Sequence, residues 1–101
     1  MRNYSIVYSR EAIVDLINKT DYIAITYANT ERALKWNRNL RKAIEAKLSQ
    51  LPQKHQIYDR SPWKEKGVRM FIRNNDLVMY VIDEENRQVK VINIFTKGKN
   101  I

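Results

Sequence analysis

The chain contains no cysteine, one histidine, two glycines and two prolines. Without a thiol there is no disulfide framework, no thiolate metal site and no cysteine nucleophile. Two glycines cannot form a glycine-rich phosphate loop, one histidine cannot form a histidine metal cluster, and no Ser-His-Asp spacing is recognisable. We therefore expect neither a metal nor a cofactor. Any catalysis must rest on lysine, arginine and tyrosine, together with His55, Asp59 or Glu65.

Long apolar segments are also absent. There is no run of about 18 apolar residues, so we expect no membrane span. Residues 1–4 lead directly into a predicted strand rather than into a signal peptide. With 101 residues, of which 44% are hydrophobic, the chain is expected to form one cytoplasmic domain, residues 1–101, with a modest core.

What the chain has in excess is positive charge. Nineteen Lys and Arg residues against eleven Asp and Glu residues give a net charge of +8. Such a field on a small domain favours a polyanionic partner or an acidic protein, and a basic surface without a partner is the alternative. The second predicted helix has a basic face that is either solvated or in contact with an acidic segment or a nucleic-acid backbone; it carries Lys35, Arg38, Arg41 and Lys42.

The first half of the chain predicts one strand and two helices. Residues 2–8 alternate in the manner of a strand, and Ser9 can cap a helix of about 18 residues. Thr30 can cap a second helix, which Pro52 ends, and the short link predicts an antiparallel hairpin. Spacings of three and four predict the buried stripes, which are Ile13, Leu16, Ile17, Thr20, Ala24 and Tyr27 in the first helix and Ala33, Trp36, Leu40, Ile44, Leu48 and Leu51 in the second.

The second half predicts a loop and three strands. Residues 53–66 show little periodicity, and so long an irregular segment in a small domain is typical of a binding loop. Strands are predicted at 68–73, 77–82 and 89–95, and the middle one is apolar enough to be covered on both sides. The short turns between them predict an antiparallel meander. The expected fold is α+β, of order β-α-α-β-β-β, with a helical hairpin on one face of a small antiparallel sheet.

Basic and aromatic residues of this half suit RNA cleavage. Arginine and lysine can stabilise the charge that develops on phosphorus during attack by a 2′-hydroxyl, and an aromatic ring can stack on a splayed base. Strand parity places Arg69 and Arg73 on one face with Phe71 between them, and Lys97 and Lys99 could reach the same concavity. The loop adds His55, Tyr58, Trp63, Lys64 and Lys66.

Each candidate also has a structural interpretation. Trp63 can plug the sheet edge, and Tyr58 with Asp59 can fix the loop through a hydrogen bond. His55 can be structural, and Phe71 can bury against the helices. Arg69 is the strongest candidate, because a cation among apolar neighbours of a strand requires either a structural partner or a ligand.

Short groups of residues in a fixed order resemble the RelE/ParE superfamily of type II toxins, and most closely its RelE/StbE-type branch. The resemblance covers essentially the whole chain. In the first half it rests on Tyr8-Ser9-Arg10-Glu11-Ala12, Asp15-Leu16 and Tyr22-Ile23-Ala24. In the second half it rests on Leu51-Pro52, His55, Tyr58-Asp59, Pro62-Trp63, Gly67-Val68-Arg69, Leu77-Val78-Met79-Tyr80 and Ile92-Asn93-Ile94-Phe95.

The resemblance implies a helical hairpin on a sheet and one of two targets. RelE-like members cleave mRNA in the ribosomal A site, whereas ParE-like members poison DNA gyrase and are not nucleases. Both are neutralised by an antitoxin encoded beside them. This chain departs from the pattern at Asp76, where the family often has a strand arginine, at Phe95-Thr96, where related nucleases have His-Tyr or Tyr, and at Lys99, where the branch has arginine.

From the resemblance we expect a toxin that forms a hetero-oligomer with its antitoxin and cleaves mRNA on the ribosome. Arg69, which matches the family's strand arginine, would be catalytic together with Lys97 and Lys99. The expected RNA-binding residues are His55, Tyr58, Trp63, Lys64, Lys66, Phe71 and Arg73. Two alternatives remain open: a ParE-like gyrase inhibitor, and an inactive relic that only binds antitoxin.

Overall fold

The order of elements is the predicted one, β-α-α-β-β-β. A computed structural model describes residues 3–96. The elements are β1 (Ser5–Tyr8), α1 (Arg10–Thr26), α2 (Thr30–Leu48), a 3-10 turn (Pro52–Lys54), β2 (Arg69–Arg73), β3 (Asp76–Asp83) and β4 (Gln88–Thr96).

The four strands form one mixed sheet of order β1-β4-β3-β2. The meander of β2, β3 and β4 is antiparallel, as predicted. β1 corrects the expectation of a wholly antiparallel sheet, because it pairs in parallel with β4. Short turns dictate direction only between the strands that they join, and β1 is joined to β4 by no short turn.

The helix ends follow side-chain capping. The Ser9 side chain accepts a hydrogen bond from the Ala12 N–H at 3.0 Å, so the predicted first cap is confirmed. The predicted second cap, Thr30, is wrong by one residue, because Asn29 accepts from the Arg32 N–H at 3.0 Å. Both Ser and Asn suit this position, since a short side chain can reach back to an unpaired N–H of the first turn.

The main core lies between the helices and the sheet. The α2 stripe is confirmed at its four fully buried positions, Ala33, Leu40, Ile44 and Leu48. The α1 stripe is confirmed at Leu16. It is wrong at Ile13, Ile17 and Tyr27, which are 47%, 53% and 50% exposed, because Ala12 and Ile23 are buried in their place. This helix is apolar on two sides, so spacing alone does not select the side that packs on the sheet.

A second, smaller cluster covers the other face of the sheet. Val68, Leu77 and Met79 are its buried members, and Tyr58, Trp63 and Phe95 pack against them. β3 is therefore covered on both sides, as its continuous apolar sequence predicted. Within residues 3–96, no helix is long and apolar enough to cross a membrane.

Candidate functional site around Arg69

Arg69 begins β2 and lies opposite Tyr80 of β3. Its Nη1 donates hydrogen bonds to two backbone carbonyls of the preceding loop, Gln53 O at 3.1 Å and His55 O at 2.6 Å. Arg69 thus has the structural partner that a cation in a strand requires. Both partners are neutral, so within residues 3–96 the guanidinium is held in place by hydrogen bonds rather than by an ion pair.

The loop segment that holds Arg69 is itself anchored to the sheet. The Tyr80 hydroxyl donates to the Pro52 carbonyl at 2.6 Å, and burial raises the pKa of this phenol far above its ordinary value. The Gln53 side-chain nitrogen donates to the Tyr4 hydroxyl at 2.6 Å and to Glu84 Oε2 at 2.8 Å. These bonds tie the loop segment that faces Arg69 to β3, to Tyr4 just before β1 and to the β3–β4 turn.

Glu84 completes this anchor. The Tyr4 hydroxyl donates to Glu84 Oε1 at 2.6 Å. The pKa of Glu84 is lowered, first by the hydrogen bond from Tyr4, then by that from Gln53, with smaller contributions from Arg87 and Arg69. The carboxylate is therefore ionised at neutral pH and accepts both hydrogen bonds as a charged group.

His55 lies beside Arg69 and is affected by burial and by nearby positive charge. Its pKa is lowered, mainly by burial and then by the charges of Lys54, Lys47 and Arg69, so the imidazole is neutral at pH 7. Its ring packs edge-on against Phe71 at 5.4 Å between centroids, and its buried Nε2 atom has no hydrogen-bond partner among residues 3–96. Burial and the neighbouring cations thus both disfavour the protonated form of His55.

Lys47 and Lys54 are the members of this site that sequence reasoning missed. Lys54 lies directly before His55, and Lys47 is in the last turn of α2. The position of Lys54 next to His55 in the sequence could have indicated that Lys54 belongs to the site. The approach of Lys47 was not readable, because it depends on where α2 ends relative to the loop.

The other β2 candidates do not join Arg69. Arg69, Phe71 and Arg73 alternate along β2 as predicted. Phe71, however, is only 7% exposed and belongs to the main core, so its ring is not free to stack on a base. Arg73 is at the opposite end of β2, where Asp76 is its cross-strand neighbour in the register of β2 and β3. Four residues of strand separate it from Arg69 by about 13 Å at roughly 3.3 Å per residue. A single ligand would have to span that distance to meet both arginines.

The loop aromatics lie on the other face of the sheet. Tyr58 and Trp63 contact edge to face with centroids 5.8 Å apart, and Trp63 also contacts Phe95 at 6.5 Å. Trp63 therefore packs on the face of the sheet rather than at its edge. Asp59 pairs with Lys64 at 3.0 Å instead of fixing Tyr58. These residues stabilise the loop and are not placed beside Arg69.

Two lysines of the loop and two of the tail complete the candidate set. Lys64 and Lys66 are exposed in the turns that lead to β2, on the loop that carries Trp63. Lys97 and Lys99 lie outside the described residues. The structure thus brings His55 together with Arg69, and separates both from the Tyr58, Trp63 and Lys64 group.

Asp76 is a second charged centre that the sequence did not reveal. It is 2% exposed, and its carboxylate accepts hydrogen bonds from Lys19 Nζ at 3.0 Å and from Trp36 Nε1 at 2.9 Å. Lys19 also donates to the Thr96 hydroxyl at 2.9 Å. The position where the resemblance implies an arginine thus holds a buried carboxylate that binds both helices to the sheet. The one available signal was Trp36, whose buried indole N–H requires an acceptor.

No group of three or more histidine and carboxylate side chains within residues 3–96 is arranged to hold a metal ion. The chain matches no protein-family model and no curated protein sequence. It does match solved structures. It is 17% identical, with a TM-score of 0.73, to a chain of the chromosomal ParDE toxin–antitoxin system from P. aeruginosa, and the match covers 93% of this chain and 96% of that one.

A second solved structure leads to the same fold. A chain of the toxin–antitoxin complex RelBE2 from Mycobacterium tuberculosis is 17% identical, with a TM-score of 0.71, and the match covers 98% of this chain and 97% of that one. Both matches span nearly the full length of the two chains compared. The fold implied by the sequence resemblance is thereby confirmed, and the chain has the RelE/ParE fold.

Proposed function

We propose that this protein is the toxin of a type II toxin–antitoxin system and that it cleaves mRNA on the ribosome. The observation that carries the proposal is the Arg69 guanidinium, fixed by neutral carbonyls within a cluster of positive charge on a RelE/ParE fold. The two solved structures that share this fold come from toxin–antitoxin systems, which supports the toxin assignment.

Arg69 is suited to the charge-stabilising step of this reaction. A guanidinium has five N–H donors, and the loop carbonyls engage only Nη1, so the remaining donors can bind a phosphate oxygen. When a 2′-hydroxyl attacks phosphorus, negative charge develops on the phosphoryl oxygens, and a fixed cation lowers the energy of that state. Lys97 and Lys99 are the proposed additional catalytic groups, and Lys54 would bind phosphate.

The overall charge supports an RNA target. A net charge of +8 gives attraction to a phosphate backbone that weakens steeply with salt. Lys47 at the end of α2, together with Lys54 and Arg69, places positive charge around His55.

An exposed apolar surface supports a protein partner as well. On α1, Ile13, Val14, Ile17 and Ile25 are 45% to 81% exposed, and Leu34 of α2 is 53% exposed. Clusters of large exposed apolar side chains mark interaction surfaces in monomeric domains. We assign this helical surface to the cognate antitoxin, with which the protein would form a hetero-oligomer.

One observation favours gyrase inhibition as the second candidate. The aromatic residues proposed to stack on RNA are packed in the two cores, and the arginine implied at position 76 is a buried aspartate. A site with fewer nucleic-acid contacts is what a non-enzymatic inhibitor would have.

Primer extension on a reporter mRNA in a translating extract tests the proposal. We expect cuts within codons that require ribosomes, and a loss of about 100-fold in cutting for Arg69→Ala. Arg60→Ala, which removes an exposed arginine of the loop, is the matched control and should cut normally. Absence of cuts by folded protein, together with inhibition of gyrase supercoiling, would establish the second candidate instead. If folded protein shows neither mRNA cleavage nor gyrase inhibition, the protein is a relic that only binds antitoxin.

A further inference from the structure

Arg69 and Glu84 carry opposite charges and bond to the same residue without pairing with each other. The Gln53 backbone carbonyl accepts a hydrogen bond from Arg69 Nη1 at 3.1 Å, and the Gln53 side-chain nitrogen donates one to Glu84 Oε2 at 2.8 Å. Within residues 3–96, no salt bridge joins the guanidinium to the carboxylate. A single glutamine therefore stands between a cation and an anion that attract each other.

Hydrogen bonds occupy both oxygens of the Glu84 carboxylate. Gln53 donates to Oε2, and the Tyr4 hydroxyl donates to Oε1 at 2.6 Å. Gln53 also donates to the Tyr4 hydroxyl at 2.6 Å, so the three side chains form a closed triangle of hydrogen bonds. Hydrogen bonds to an ionised acceptor are stronger than those between neutral groups. The triangle thus fixes the direction in which the carboxylate points.

The Tyr4 corner of the triangle is held by contacts that do not involve Arg69. Tyr4 is 6% exposed, and its backbone N–H donates to the Ser49 carbonyl at 2.8 Å. The guanidinium of Arg87 lies 4.3 Å from the centre of the Tyr4 ring. The hydroxyl that holds Glu84 is therefore carried by a buried ring, which cannot follow the carboxylate to another position.

The donors that Arg69 offers to a phosphate suit a carboxylate equally well. Within residues 3–96, its Nε and Nη2 atoms have no hydrogen-bond partner, and a guanidinium binds carboxylate and phosphate in the same forked geometry. Glu84 is close enough for the charge of Arg69 to contribute to the lowering of its pKa. A Glu84 side chain released from the triangle would compete with a phosphate for these donors.

We infer that Gln53 and Tyr4 are positioning residues that hold the Glu84 carboxylate away from Arg69 and so keep the guanidinium open to a phosphate of RNA. The RNA in this statement rests on the proposed function, whereas the separation of the two charges does not. Gln53 acts through both of its ends, because its carbonyl orients the cation and its side-chain amide orients the anion.

Gln53→Met tests the inference, because it keeps the backbone carbonyl and removes the amide that holds Glu84. Gln53 is exposed, so the variant should fold. We expect the released carboxylate to pair with Arg69 and to raise KM for mRNA cutting about fivefold, the size set by an exposed ion pair. The kcat should change little, since bound RNA displaces Glu84. Gln50→Met, the same change at another exposed glutamine, is the matched control and should leave KM unchanged.

A second substitution separates capture of Arg69 from loosening of the loop. In the double variant Gln53→Met/Glu84→Gln, the side chain at position 84 has no charge with which to capture the guanidinium. We therefore expect KM to return to near the wild-type value. A double variant as defective as Gln53→Met would show that Gln53 acts only by anchoring the loop, and the inference would be overturned.

A measurement without RNA keeps this inference separate from the proposed function. Carboxyl ¹³C NMR on the full labelled chain follows the pKa of Glu84, which in the wild type is lowered mainly by the hydrogen bonds from Tyr4 and Gln53. In Gln53→Met we expect this pKa to stay low, because Arg69 takes the place of the amide, and to rise when Arg69→Gln is added. This result would support the separation of charges even if the wild type cut no mRNA.

Two results of the titration would overturn the inference. A Glu84 pKa that rises to its ordinary value in Gln53→Met alone would show that the released carboxylate stays in water. A pKa that stays low in Gln53→Met/Arg69→Gln, and rises only when Arg87→Gln is added, would show that the carboxylate turns to Arg87 instead.

Discussion

The two ends of the β2–β3 hairpin each hold a charged group, and they hold it in opposite ways. At one end, Asp76 is buried and meets the ammonium of Lys19 and the indole of Trp36. At the other end, Arg69 is partly exposed and, within residues 3–96, its hydrogen bonds go to neutral carbonyls and it forms no salt bridge. The charge of Asp76 is neutralised and serves stability. The charge of Arg69 is positioned by hydrogen bonds rather than by a salt bridge, and Glu84 is near enough to feel it, so donors of the guanidinium remain for an anion.

The largest expected effect comes from breaking the ion pair at the Asp76 end. Lys19→Met leaves a buried carboxylate with one remaining donor, which should cost about 3 kcal/mol in the free energy of unfolding, measured with urea. Lys42→Met, on the exposed face of α2, is the control and should stay within about 0.5 kcal/mol of wild type. If Lys19→Met lowered the free energy of unfolding by as little as the control does, Asp76 would not need the Lys19 ammonium for stability.

A smaller effect is expected at the Arg69 end. Tyr80→Phe removes the hydrogen bond to the Pro52 carbonyl and should cost about 1 kcal/mol of unfolding free energy in the same assay. Because that bond anchors the loop that holds Arg69, cleavage should fall by more than the stability loss explains at a temperature where the variant is fully folded. Unchanged cleavage would mean that the carbonyls of Gln53 and His55 hold their positions without Tyr80.

The smallest effect concerns acid stability at Glu84. The pKa of Glu84 is lower in the folded state than in the unfolded chain. Its contribution to the free energy of unfolding is therefore fully present above the unfolded pKa. That contribution to the free energy of unfolding is lost as pH falls through the folded pKa. Glu84→Gln should therefore reduce the acid dependence of urea unfolding between pH 5 and 3, taken as approximate bounds of the carboxyl range. Glu31→Gln, on exposed α2, is the matched control. Equal pH profiles for both variants would contradict the role of Glu84.

Local patterns predicted the elements well, because helix and strand periods are properties of neighbouring residues. The stripe of Leu40, Ile44 and Leu48 and the Ser9 cap are examples. Long-range choices were not readable in the same way. The exposure of Ile17 depends on which of two apolar sides of α1 meets the sheet.

The candidate site was predicted only in part for the same reason. Arg69 was identified because a cation among apolar strand residues is locally anomalous. Trp63 was grouped with it because the two are near in sequence, yet the loop carries Trp63 to the opposite face of the sheet. The bonds of Asp76 join residues 57 and 40 positions apart, and no local period reports such contacts.

The parallel pairing of β1 with β4 has a consequence for biosynthesis. Ser5 pairs with Gln88, so β1 must wait until about 80 further residues have been made before its partner strand exists. The helical hairpin and the β2–β3 turn can form earlier, since their contacts are local. On a translating ribosome, the first strand to emerge is therefore among the last to be paired, and the complete sheet appears only after β4 has left the exit tunnel.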